Sequence, residues 1–491
     1  MGKLKRLRVL AAAVLVVVLA VFVGYRLTVV AAPPGLPTKP SARTHVSHAS
    51  FFDTPFRTGQ EVTRACLECH EASAKEMLRT AHFRWEGEPV DVKGDGKKIR
   101  IGKRNLINNF CIGVQGNFAS CTRCHAGYGW EDKSYDFSKE ENVDCLVCHD
   151  RSGTYLKGAA GLPRKGVNLQ AAAKSVGFPR RDNCGVCHHY GGGGLGVKHG
   201  DLDATLDNPD PYDDVHMGRG GLLCIDCHGG DKHNIRGKAY SVSVNHENGI
   251  GCTDCHKAAP HQDSRLNQHT QRVACQTCHI PTFASNVPTK TDWDWSKAGD
   301  DKREDDTHHY LKIKGEFIYK KSLQPEYYWF DLTADRYLLG DKVADHGPTD
   351  INRPRGKRGS PGAKIWPFKV HRGKQPYDPV NQHIIPPVTS GEGGYWHDFD
   401  WPKALRLGAA QVGLPFSGKV GFVQTEMFWP LSHMVQPKDK ALQCIDCHGA
   451  GSRMEWQRLG YADDPMNTGA GSSPVVPTRT PTAPRTTGGA R

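Results

Sequence analysis

The chain is short of apolar mass. Only 38% of its 491 residues are hydrophobic, 9% are aromatic, and 24% are charged. A chain of this length ordinarily builds two to four domains with conventional cores, yet this composition approaches that of chains too polar to fold. Beyond residue 30 there is no long apolar run, which excludes a multi-span membrane protein. Spare thiols are also missing. Of 17 cysteines only Cys111 lies outside one fixed pattern, so nothing is left over for a disulfide framework.

The pattern is Cys-x-x-Cys-His, and it occurs eight times. The cysteine pairs are Cys66/Cys69, Cys121/Cys124, Cys145/Cys148, Cys184/Cys187, Cys224/Cys227, Cys252/Cys255, Cys275/Cys278 and Cys444/Cys447. The histidines that follow are His70, His125, His149, His188, His228, His256, His279 and His448. This is the attachment signature of c-type haem: two thiols bind the porphyrin and the adjacent imidazole binds its iron. Paired Cys-x-x-Cys motifs also make zinc sites, but zinc has no need of a histidine directly after every second cysteine. The sequence therefore implies eight covalently attached haem c groups.

Haem supplies the missing apolar mass. Seven motifs fall between Cys66 and His279, about thirty residues each, too few for separate polypeptide cores. The expected fold is mainly α with much irregular loop, its core made of packed haems, plus a small β-hairpin-containing insertion. The formal charge of +12 does not call for nucleic acid. Each ferric haem with two propionates adds about −1, which brings the sum to roughly +4, a field suited to drawing in small anions.

Residues 1–32 combine a basic start (Lys3, Lys5, Arg6, Arg8) with an apolar run ended by Arg26, and read as an export signal or an N-terminal membrane anchor. Either places the haem-bearing part outside the cytoplasm, in the periplasm. Residues 33–50 read as a linker and 51–281 as the haem-dense region. Within it, His233 and His261 follow their motifs at equal spacing, and His246 and His269 precede theirs at equal spacing. Such a repeat suits stacked haem pairs. Residues 282–430 form an aromatic insertion without a motif, in which period-two stretches such as Leu311-Lys-Ile-Lys-Gly-Glu-Phe-Ile-Tyr319 predict a few hairpins. Residues 431–463 carry the eighth motif, and 464–491 read as a disordered tail.

An iron closed by two histidines carries electrons; one with a displaceable ligand can do chemistry. The candidate distal ligands are His82, His199, His216, His233, His246, His261, His269 and His433, each within about a dozen residues of a motif. His45, His48 and His371 are weaker candidates. His82 suits the first haem, which leaves the second motif, Cys121 to His125, without an obvious local histidine. That is the candidate open site, and Cys111 stands nearby as a thiol able to engage a sulfur substrate.

The chain resembles the octahaem tetrathionate reductase family. The resemblance is carried by the eight motifs with the last far downstream and by Asn108-Asn-Phe-Cys111, Gly191-Gly-Gly-Gly-Leu-Gly-Val-Lys-His-Gly-Asp-Leu-Asp203 and Asp214-Val-His-Met-Gly218. Cys275-Gln-Thr-Cys-His-Ile-Pro281, Thr291-Asp-Trp-Asp-Trp-Ser-Lys-Ala-Gly299 and Trp429-Pro-Leu-Ser-His-Met-Val435 add to it. It implies that the haem of the second motif is the active site, with His125 proximal, the Lys198 amine as distal ligand and Cys111 as the active-site cysteine. Leu195 departs from the acidic residue expected there, which puts a proton donor and the substrate preference in question. A lysine binds iron only when neutral, and burial disfavours its ammonium. Lys157 is the reserve candidate.

The expected function is an exported reductase that passes electrons from a quinol-linked or soluble cytochrome donor to a small oxyanion. Tetrathionate would give two thiosulfates; nitrite and hydroxylamine are alternatives. Two rivals are a hydroxylamine oxidoreductase-like enzyme, for which no cross-linking tyrosine is assignable, and a non-catalytic conduit with every iron closed by histidine. The lysine-bearing motif CxxCK of the pentahaem nitrite reductases is absent from the sequence.

Overall fold

The structure is a computed structural model and describes residues 45–468 apart from residue 112. The export segment, most of the linker and most of the tail lie outside the described residues. Among the described residues no helix is long and apolar enough to cross a membrane.

Two thiols that share one porphyrin must sit on the same side of the chain, and a single helical turn puts residues three apart there. Short helices at Cys224–Cys227, Cys275–His279 and Cys444–Cys447 do this, Arg181–His188 ends in its motif, and Cys252–Asp254 is a 3-10 turn. Asp226 and Asp446 lie inside their motifs and accept from the backbone N–H of Leu223 and Gln443 at 2.8 and 2.7 Å, which caps those turns. Longer helices are few. Gly59–Leu67 starts at Thr58, whose hydroxyl accepts from Glu61 N. Trp401–Val412 runs from Asp400 to a left-handed Gly413.

The strands are β1 (Val90–Asp91), β2 (Lys98–Ile99), β3 (Thr289–Asp294), β4 (Tyr310–Leu311), β5 (Gly315–Lys320), β6 (Glu326–Phe330), β7 (Ala334–Arg336), β8 (Thr349–Pro354), β9 (Lys364–Asp378), β10 (His383–Ile384) and β11 (Gly421–Pro430). The first two form a small hairpin and the other nine one sheet, ordered β4-β5-β3-β9-β11-β8-β7, with β6 and β10 also on β9. Strand β9 is the spine: it pairs antiparallel with β11 from Gly421↔Tyr377 to Pro430↔Phe368, and parallel with β3 at Asp292↔Arg372.

This corrects the expected fold class. The molecule is not mainly α with a few hairpins in an insertion; residues 282–430 contain a mixed nine-stranded sheet. Strand β9 gave no strand signal because Pro367, Pro376 and several cations interrupt it. The tail boundary also shifts. Asp464 is buried and Pro465–Thr468 is helical, so the ordered chain continues past residue 463.

The sheet is the platform for the haem-bearing loops. Asn109 Nδ2 donates to the carbonyls of His371 and Thr425 at 2.8 and 3.3 Å, which bolts the Cys111 segment onto β9 and β11. Thr277 Oγ1 donates to Ile365 O at 2.7 Å and anchors the seventh motif to the same strand.

Candidate haem sites and the pocket at the second motif

Two imidazoles on opposite sides of one iron place their ring centres about 6.3 Å apart, from two metal–nitrogen bonds of about 2 Å and two ring radii. Six motif histidines face a second imidazole at that spacing. The pairs are His70 with His48 at 6.2 Å, His188 with His82 at 6.1 Å and His228 with His433 at 6.1 Å. The others are His256 with His216 at 6.1 Å, His279 with His261 at 6.4 Å and His448 with His269 at 6.3 Å. Among the imidazoles acting on His149, His233 leads.

A metal-bound imidazole keeps its orientation by spending its other nitrogen on a hydrogen bond. Several of these rings do so through Nδ1. His48 reaches Val46 O at 2.9 Å, His149 Gly177 O at 3.0 Å, His228 Arg236 O at 2.9 Å and His269 Arg265 O at 2.9 Å. Carboxylates hold His233 (Glu76, 2.9 Å) and His448 (Asp464, 2.6 Å). The Nε2 atoms are thereby left for iron, so these residues fit haem.

Motif thiols also meet across motifs. Cys66 lies close to Cys145, Cys124 to Cys187, Cys184 to Cys224 and Cys252 to Cys275. At longer range Cys148 influences Cys184, Cys255 influences Cys227, and Cys444 influences Cys278. By these thiol contacts the motifs follow the order one, three, four, five, six, seven, eight, and porphyrins held there would follow it. The second is a side branch on the fourth.

The motif treats its two thiols alike; the structure does not, and the expected haem thiol Cys69 shows the difference most plainly. Cys66 is half-buried and packs against the core around Val62 and Leu146, whereas Cys69 is exposed. The helix that carries Cys66 ends at Leu67, so Cys69 stands in the turn beyond it, its N–H donating to Cys66 O at 3.2 Å. Cys227, Cys255 and Cys444 are exposed in the same way.

The second motif differs. His125 is fully buried inside Phe83, Trp85, Trp130, Tyr135 and Phe137, with no imidazole among these neighbours. Its nitrogen roles are exchanged: Nε2 lies 2.5 Å from the Phe83 carbonyl and Nδ1 has no partner. This ring is therefore held differently from the other motif histidines.

Around this motif the structure gathers cations and Cys111. Cys111 and Cys121 both pack on the group formed by Trp293, Trp295 and Phe317. A Cβ added at Gly193 would lie 3.9 Å from Cys111 Sγ, and one at Gly191 would lie 3.6 Å from Lys198 Cδ, so the glycine run bridges the two residues. Gly193 has φ +108°, and Gly196 has φ +69° with Pro288 O only 2.2 Å from where a Cβ would stand. Both positions exclude side chains. Burial lowers the Lys198 amine to about 8, helped by repulsion from Lys103. Lys290 is more deeply buried than half-buried Lys198; it sits 3.8 Å over Trp293, donates to Phe110 O at 2.7 Å and is pushed well below the usual lysine range by burial. Cys111 also lines a small recess, of about 20 Å³, with Asn108, Trp295, Gln375, Ile384 and Pro386.

Several sequence expectations change. His82 faces His188 of the fourth motif, not His70, and His48 takes the place beside His70. His48 lies upstream of its motif and beyond the local reach that guided the choice of ligands. Among the described residues neither His199 nor His246 stands in ring contact with a motif histidine: His199 packs against Trp429 at 5.1 Å and His246 hydrogen-bonds locally at Ile250. Lys157 is committed elsewhere, ion-paired to buried Asp144 at 2.7 Å beneath the carbonyls of His125 and Gly127. Lys290 and Lys103 went unnoticed because nothing local marks them; they reach the site only through folding.

Helical Cys-x-x-Cys-His turns and imidazole pairs at axial spacing define a multihaem c-type cytochrome with covalent haem c. Comparison with known proteins agrees. Residues 290–451 match the family model "Cytochrome c bacterial". A crystal structure of octahaem cytochrome c from Shewanella oneidensis is 47% identical, with a TM-score of 0.82, over 87% of this chain and 99% of that one. An uncharacterised protein of Archaeoglobus fulgidus is 25% identical over 242 residues, covering 39% of this chain and 80% of that protein. The chain belongs to the octahaem tetrathionate reductase family of octahaem c-type cytochromes.

Proposed function

We propose that the protein is an exported octahaem reductase whose second motif reduces a small sulfur or nitrogen oxyanion. One observation carries this reading: the second motif is approached by the half-buried Lys198, within charge reach of Cys124, and by the Cys111 thiol, where six others are met by imidazoles. Haem c, when bound, supplies electron storage at each motif and, at the second, an iron with a displaceable distal ligand.

The protein's own groups divide the work. His70/His48, His149/His233, His188/His82, His228/His433, His256/His216, His279/His261 and His448/His269 would close seven irons. His125 and Lys198 would hold the eighth. Desolvation lowers the Lys198 amine to about 8, which makes it easier than a free lysine to deprotonate as a ligand that must also leave. Lys103 adds positive charge that favours an oxyanion, and Cys111 packs with Cys121 on one aromatic group and lines an adjoining recess. For tetrathionate, two electrons cleave the central sulfur–sulfur bond and release two thiosulfates. Electrons from a quinol-linked or soluble cytochrome donor would reach the second motif by way of the fourth.

The test is Lys198→Leu. Reduced-dye assays with tetrathionate, nitrite and hydroxylamine should show turnover falling by about a hundredfold or more, as for loss of one transition-state group, and the spectrum of one haem should change. Unaltered spectrum and turnover would exclude Lys198 from the site and leave the non-catalytic conduit as the better account.

A further inference from the structure

The haem ligands are not anchored alike, and the difference falls on the eighth motif. Where a ligating imidazole donates its Nδ1 hydrogen to a carboxylate, the ring gains anionic character, ferric iron is favoured over ferrous, and the potential falls. A neutral backbone carbonyl has a weaker effect. His48, His149, His228 and His269 donate to carbonyls. Carboxylates stand behind His233, His433, His216 and His448, in unequal geometry.

Glu76 reaches His233 at 2.9 Å, but the two side chains are 26% and 35% exposed, so water screens the charge. Asp201 stands 3.5 Å from His433 Nδ1 and gives its Oδ2 to the N–H groups of Ser432 and His433. Asp214 stands 3.8 Å from His216 and caps His216 N and Met217 N. Asp464 has the shortest contact, 2.6 Å to His448 Nδ1, with side chains 6% and 17% exposed. Its second oxygen accepts from Gly449 N at 2.6 Å, which fixes the carboxylate. Trp456 stacks on His448 at 5.3 Å and 20°, covering the ring. Arg453 belongs to the same segment, but its guanidinium donates to Pro281 O and Tyr327 OH.

We infer that Asp464 is a positioning residue that holds the haem of the eighth motif at the lowest potential of the chain. The eighth motif is a terminus in the order of thiol contacts, and Cys444 is exposed there. Electrons delivered to that end run energetically downhill toward the branch at the fourth motif. The inference rests on the haem-ligand reading but is independent of Lys198 and of the substrate.

Potentiometric titration of the holoprotein tests it. In Asp464→Asn the most negative component should move to higher potential while the others stay in place; Asp464→Glu, which keeps the charge, should retain it. Stepwise reduction of the native protein, followed by NMR of the haem methyl signals with the eighth haem identified through Trp456, needs no variant. There the eighth haem should be the last reduced. An earlier reduction of that haem, or an unmoved lowest component in a fully haem-loaded Asp464→Asn variant, would overturn the inference. Lys198→Leu should move only the component of the second haem and leave the most negative component in place, so the two readings fail separately.

Discussion

Lys369 Nζ donates to the backbone carbonyl of Lys198 at 3.0 Å. The same amine reaches Thr289 Oγ1 at 2.6 Å and Val197 O at 3.3 Å, and Thr289 Oγ1 donates to Gly196 O at 2.8 Å. A glycine run that would otherwise be loose is thus tied to β9 and β3, directly under the residue proposed to bind iron. Lys369→Met should release it. The expected result is a changed signature of one haem together with a loss of stability of about 1–3 kcal/mol, the cost of stranding buried acceptors. Lys369→Arg, which keeps donors in place, should restore much of the spectrum.

His48→Ala should turn one of the eight haems high-spin, because the 6.2 Å partner of His70 is then missing. His199→Ala should leave the count of low-spin haems unchanged, since that ring packs on Trp429. Magnetic circular dichroism of the two variants distinguishes the outcomes. A high-spin haem in His199→Ala alone would reverse the assignment.

Cys111→Ala should separate the substrates. If the thiol engages sulfur, tetrathionate turnover drops by about a hundredfold, the scale for a group acting only in the transition state. Nitrite turnover should change little, because Lys103, Lys198 and Lys290 are untouched. Equal losses on both substrates would assign Cys111 a packing role beside Trp293 and Trp295.

Asp378 gives a pH prediction for the sheet. Burial alone would raise its carboxyl, but donors from Ser417 and Asn381 outweigh it and hold it well below the usual carboxylate range. A depressed acid contributes stability that is complete above its unfolded value of about 3.9 and is lost as pH falls through the folded one. Melting temperature should therefore fall below about pH 4. In Asp378→Ala the protein should be less stable at neutral pH by about 1–3 kcal/mol and its acid dependence flatter.

The covalent chemistry was legible because it is local. Cys224, Cys227 and His228 carry their meaning within five residues, and one helical turn suffices to aim both thiols at one porphyrin. Distal partners such as His261 for His279 were candidates for the same reason of reach. The partners of His48, His82 and Lys290 were not readable in this way. Each meets its partner across a fold whose path the sequence does not display. The exposure of Cys69 beside a half-buried Cys66 was hidden too, because it depends on where a helix ends and what packs on it.

The sequence by itself determined how many haems can attach, where, and which histidine follows each thiol pair, since those are contacts between near neighbours in the chain. Only the tertiary structure decided which imidazole stands opposite which, that β9 is the platform, and that Asp464 lies behind His448. Axial pairing across an iron joins residues with no fixed spacing in sequence, and the buried cations take their properties from desolvation, which exists only once the chain has folded around them.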